Sequence, residues 1–170
     1  MSSPLFSTLP DEARLWVYAA DRPLTAAEQT TLTRRLMPFL ASWTSHGRPV
    51  QGAMHLLHDR FLLVAAVLAG GADISGCGID ASVHAVEEAA EAVGVRWLSP
   101  LEVLYRDDEG QIRHVPRSGF RQLVRAGTVT GATPVFDLSL TTVGALRAQG
   151  LERPASAGWH ARVFRIPQPA

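Results

Sequence analysis

Phe61-Leu62-Leu63-Val64-Ala65-Ala66-Val67-Leu68 is apolar at every position. In a strand, successive side chains point to opposite faces, so such a segment has to be covered on both sides. A chain that contains it folds around a central strand, with the remaining elements layered above and below. Val50 to Leu57 precedes it across His58-Asp59-Arg60 and reads as its hairpin partner.

The flanking pattern supplies the other layers. Arg14 to Ala19 alternates and reads as a strand, broken by Asp21-Arg22-Pro23. Thr25 and Glu28 match a capping box, and Leu32, Leu36, Phe39, Leu40 and Trp43 follow at helical spacing, with Pro38 as a kink. Gly70 to Gly78 reads as the longest loop. A second helix capped by Asp80 or Ser82 then carries Ile79, Val83, Val86, Ala90 and Val93 on one stripe and closes at Gly94. A hairpin over 101–106 and 111–115, a short helix over 118–126, a strand over 135–138 and a helix over 141–148 follow. A tail after Pro154 holds Trp159-His160-Ala161-Arg162.

This succession predicts one α+β domain over residues 1–170. A ferredoxin-like βαββαβ core spans 14–106, and a hairpin–helix–strand extension with its tail spans 107–170. In that topology the first and third strands are parallel neighbours, so their exits converge. Asp21-Arg22 and the loop before the second helix are then expected at one rim.

Composition removes whole classes of chemistry. The 16 basic residues are all arginine. Without lysine there is no Walker A phosphate loop, no kinase strand lysine and no Schiff base for pyridoxal phosphate. Basic and acidic residues cancel to a net charge of +0, so no global field points to nucleic acid. No apolar run reaches the ~20 residues that span a bilayer, and one cysteine forms no intrachain disulfide. With no leader in view, the reading is a cytoplasmic protein that engages neither membrane nor nucleic acid.

Ser75-Gly76-Cys77-Gly78-Ile79-Asp80-Ala81-Ser82 holds that cysteine between two glycines before a helix. A thiol there meets free backbone N–H groups and the positive end of a helix dipole, which favour a thiolate or a bound anion. Cys77 is the candidate nucleophile or redox thiol, and His160 in the tail the candidate base. Gly76, Gly78, Asp80 and Ser82 are candidate ligand-binding residues, joined by Asp21 and Arg22 across the rim and by Arg162. The same glycines fit a loose dinucleotide pattern, but the strand before them sits in a hairpin, so no cofactor is expected. There is no second cysteine and no His-Glu-x-x-His, so no metal site is expected either.

Trp16-Val17-Tyr18-Ala19-Ala20-Asp21-Arg22, Trp43-Thr44-Ser45-His46-Gly47, Arg60-Phe61, the cysteine octet and Trp159-His160 stand in an ordered series. In these motifs the chain resembles a family of small uncharacterised bacterial proteins, frequent in Bacteroidetes, many of which carry the label "ABC transporter ATPase". Gly78 and Ala81 stand where that family's pattern has serines. The resemblance implies no ATPase here, because neither the Walker loop nor its lysine exists in this sequence.

The leading expectation is a protein that binds a small anionic molecule at the Gly-Cys-Gly loop and helix N-terminus, with Cys77 as a reactive thiol. The alternative is a structural or interaction protein that forms a homodimer through its sheet.

Overall fold

The computed structural model describes residues 5–168. Contacts gather into two compact units. The first runs to Leu98 and takes in Leu140–Ala148; the second holds Ser99–Ser139 and the chain from Gln149 onward.

The first unit contains β1 (Arg14–Ala19), α1 (Ala26–Ser42), β2 (Thr44–Ser45), β3 (Arg48–Leu57), β4 (Phe61–Leu68) and α2 (Gly76–Val93). Its sheet has the order β1-β4-β3-β2. β4 is therefore central, as its composition requires. Leu62, Val64, Ala66 and Leu68 pack with Leu32, Leu36 and Leu40 of α1 and Val86, Ala89 and Ala90 of α2. On the other face Leu63 and Ala65 are equally buried. There Leu15 lies opposite Ala65, and His55, opposite Leu63, meets the ring of Phe6 edge-on. Arg147, on α4 (Val143–Gln149), secures the segment around Phe6 by donating to the carbonyls of Phe6 and Leu9 and to Asp11. The central strand is thus covered on both faces by the chain itself.

The second unit contains β5 (Glu102–Arg106), β6 (Ile112–Pro116), α3 (Arg117–Arg125), β7 (Pro134–Phe136), β8 (Glu152–Pro154), a 3₁₀ turn at Ala155–Ala157 and α5 (Trp159–Val163). Its sheet runs β6-β5-β7-β8. Val103, Tyr105, Phe120, Val129, Val135, Ala155, Phe164 and Ile166 form its core.

The molecule is α+β. Through β5 its elements keep the ferredoxin-like order of strand, helix, strand, strand, helix, strand, with the short β2 added, and the hairpin, helix and strand of the extension follow. The pairing differs from the expected sheet. β1 runs antiparallel to β4, with Ala19 opposite Phe61 and Arg14 opposite Ala66. β5 pairs with β6 and β7 instead of extending the first sheet. Element order alone does not carry strand direction. Among the described residues, no helix is long and apolar enough to cross a membrane.

Candidate functional site

The antiparallel pairing separates the residues that the sequence placed at one rim. β1 ends where β4 begins, so Asp21-Arg22 emerges at the end of the sheet opposite the connection into α2. Arg22 lies against the far end of that helix: its guanidinium donates to the carbonyls of Val93 and Gly94 and pairs with Glu28 at 2.7 Å. Asp21 accepts at Oδ1 from the N–H of Arg96. Sixteen residues of helix between Cys77 and Val93 correspond to about 24 Å. The expected Cys77–Arg22 site does not form.

The octet itself is helix, not loop. Ser75 is the N-cap of α2, and its hydroxyl accepts from the N–H of Gly78 at 3.1 Å. Neither Asp80 nor Ser82 caps the helix: Asp80 is exposed, and Ser82 donates to the carbonyl of Ile79. Gly78 is glycine for packing reasons. A Cβ there would lie 2.9 Å from Ile74 Cγ2, and its carbonyl accepts from Trp43 Nε1 at 3.0 Å. Gly76 has open space around it, and Cys77 is exposed. Cys77 lines none of the four cavities walled by Arg121, Asp73, His160 and Trp97 with their neighbours. Binding of a small anion at this turn is therefore overturned. The remaining two candidates, His160 and Arg162, belong to the second unit, where Arg162 is exposed.

His160 sits in a different kind of place. The sequence Ala155-Ser156-Ala157-Gly158 forms a 3₁₀ turn that stops at extended Gly158 and lets α5 start at Trp159. His160 is 1% exposed, stacked on Trp159 at 3.9 Å and packed beside Phe120 and Phe164. Neither of its ring nitrogens has a hydrogen-bond partner. Burial, first of all, pushes its pKa down to about 4; Asp137 opposes this, and Arg153 and Arg117 add to it. At neutral pH the imidazole is uncharged, one nitrogen a donor and the other an acceptor.

Its neighbours share the condition. Glu102 Oε2, Trp159 Nε1 and Arg153 Nε are likewise buried and unpartnered. A Cβ on Gly158 would stand 3.1 Å from His160 Nδ1 and 3.5 Å from Arg153 Nε, so the absent side chain leaves both atoms room. Glu102, Arg117, Trp159 and His160 line one cavity of about 280 Å³ with Pro100, Phe136, Leu138 and Ser139. Arg117 holds its guanidinium over the Trp159 ring, 5.4 Å from the centroid. Behind the cavity, buried Asp137 accepts from the Ser139 N–H and hydroxyl and pairs with Arg153. Burial alone would raise its pKa, but those partners hold it below the usual carboxylate value.

An unpaired buried polar group costs ~1–3 kcal/mol, so native interiors carry few of them. Among the described residues every such side-chain atom belongs to Glu102, Arg153, Trp159 or His160. That concentration makes this cavity the candidate site. The sequence pointed to His160 and to Trp159, a tryptophan in a polar tail. It had no means of pointing to Glu102 and Arg117, which look like ordinary strand and helix surface charges until β5 and α3 bring them to α5.

No three His, Cys, Asp or Glu side chains among the described residues gather where they could hold a metal ion. No protein-family model matches the chain, and neither the curated proteins nor the solved structures include a significant match.

Proposed function

We propose that the second unit binds a small molecule carrying both a cation and an anion, of amino-acid size, in the cavity lined by Glu102, Arg117, Trp159 and His160. One observation carries the reading: of the five unpartnered buried side-chain polar atoms among the described residues, four belong to Glu102, Trp159 and His160, which line this cavity, and the fifth, Arg153 Nε, lies next to Gly158 beside His160. The chemistry of the lining selects the ligand. Glu102 offers an acceptor for an ammonium group, and Arg117 a planar cation for a carboxylate. The two side chains make no ion pair with each other, so both charges are open to a ligand. Trp159 Nε1 and neutral His160 supply further polar contacts without adding charge. Phe136, Leu138 and Pro100 give an apolar floor for a short side chain. A site with one charge of each sign favours a net-neutral molecule over the anion expected from the cysteine octet. This role suits a protein of the cytoplasm and needs neither nucleic acid nor membrane.

Thermal-shift titration of the full chain against the free amino acids tests this. Binding at a hundredfold excess over Kd adds about 2.7 kcal/mol, a rise of several degrees in Tm. At least one zwitterion is expected to give a saturable shift that Glu102→Gln and Arg117→Met each weaken at least tenfold. The corresponding amine without a carboxylate, and the acid without an amine, are expected to bind far more weakly. If no amino acid shifts Tm, or if the single-charge analogues do as well as the zwitterion, the reading fails.

A further inference from the structure

A second cavity, of about 640 Å³, opens in the same unit between α3 and the C-terminal segment. Arg121, Arg125 and Arg165 line it together with Val124, Val163, Phe164 and Pro167. It shares no lining residue with the cavity at His160 and does not depend on what that cavity binds.

Its charge follows from how the unit distributes its ion pairs. Arg106, Arg113 and Arg153 are matched by Glu152, Asp107 and Asp137. Arg117, Arg121, Arg125, Arg162 and Arg165 have no carboxylate within ion-pair distance among the described residues, and all are exposed. Arg117, Arg121 and Arg125 recur every fourth residue, so they form one stripe along α3, rising about 6 Å per step. Like charges at that spacing work against the helix. Phe120, flanking that stripe and buried in the core, holds the helix down regardless.

Arg165 reaches the groove because of its neighbours. Phe164 and Ile166 are both buried, and the chain turns outward between them with Arg165 at φ 52°, a left-handed conformation uncommon outside glycine. Arg121 lies over the Phe164 ring at 5.7 Å, which fixes its guanidinium at the groove wall. Val163 is 41% exposed and gives the groove an apolar edge.

From this we infer that the groove is a docking site for an acidic peptide segment of a partner protein, with its carboxylates on Arg121, Arg125 and Arg165 and an apolar side chain against Val124 and Val163. Charge complementarity selects an anionic chain. The apolar wall selects a peptide over a nucleic acid, because the one aromatic ring of the groove, Phe164, is 5% exposed and covered by Arg121, leaving no open face on which a base could stack.

Fluorescence anisotropy of the full chain with a labelled Asp-Glu-Leu-Asp-Glu-Leu peptide tests it. Saturable, salt-sensitive binding is expected, weakened at least tenfold by Arg121→Glu with Arg125→Glu and severalfold by Val163→Asp. Arg165→Gly is the control for folding, since it relieves the positive φ while removing a cation: Tm should hold or rise while affinity falls. A peptide with serine in place of leucine should bind at least fivefold more weakly. Absence of binding, equal binding by the arginine variants or by the serine peptide, or tighter binding of a single-stranded oligonucleotide of equal charge would each overturn the proposal.

Discussion

At the scale of residues, the motif around Cys77 is explained by its neighbours and not by its thiol. Trp43 donates to the carbonyl of Gly78, Ser45 bonds Ser75, and Ser75 caps α2. These contacts join the Trp43–Gly47 and Ser75–Ser82 segments into one packing unit, with Cys77 exposed on it. Glycine is needed at only one of the two positions flanking the sulfur. Gly78→Ala would press a methyl against Ile74, itself 5% exposed and unable to step aside. Overpacking of that kind costs about 1–3 kcal/mol, more than the helix propensity gained. Gly76→Ala meets nothing within 4 Å and is expected to be neutral or stabilising by up to about 1 kcal/mol. Urea midpoints of the two variants should move in opposite directions; equal shifts would mean that Gly78 is not packed as described.

At the scale of elements, α1 starts through a junction that ties three pieces of chain together. Thr25 accepts from the N–H of Glu28 and Glu28 from that of Thr25, a capping box, while Arg22 links Glu28 to the C-terminal carbonyls of α2. Thr25→Ala should cost about 1 kcal/mol, read from thermal or urea unfolding. The hydrogen bond from Arg22, then that from the Thr25 N–H, hold the Glu28 carboxyl at about 2, below its usual 4.5. A carboxyl depressed on folding stabilises above its unfolded value, and that stability is lost as pH falls from about 4.5 toward 2. Glu28→Gln should lower stability near neutrality and flatten the profile in that window, so that the two proteins converge in acid. The capping box was legible in the sequence because it is local, as were β1, β4 and the Gly94 that closes α2; the contact of Arg22 with the end of α2 was not. Short or non-local features were not. β2 and β8 span two or three residues, too few for a period to show. The direction of β1 against β4 leaves no mark on either strand, and it decided the fate of the Cys77–Arg22 site. His160 was visible as an oddity of the tail, but its surroundings come from β5, α3 and β7, far away in sequence.

At the scale of the whole molecule, the cost of the His160 cluster should be measurable as acid sensitivity. The imidazole titrates at about 4 when folded, against about 6.5 when free. Below 6.5 the unfolded chain takes up the proton first, so stability is intact above that pH and falls as pH drops toward 4. For a side chain 1% exposed this amounts to roughly 3 kcal/mol. The groups facing it are Asp137, which favours the protonated ring, and Arg153 and Arg117, which oppose it. Glu28 and Asp137 are held below their usual values and titrate at lower pH, while His55 in the first unit is also pushed down by burial and overlaps the window. A His160→Phe variant separates these contributions. Phenylalanine fits among Phe120, Trp159 and Phe164 and removes two unpartnered nitrogens, so it should match or exceed the wild type at pH 7. Its advantage should widen by roughly 3 kcal/mol between pH 6.5 and 4, read from urea unfolding at each pH. An identical pH slope in both proteins would place the titrating group elsewhere. A gain in stability together with loss of the amino-acid response would mean that this interior keeps a polar group it would fold better without, which is the mark of a residue retained for binding and not for packing.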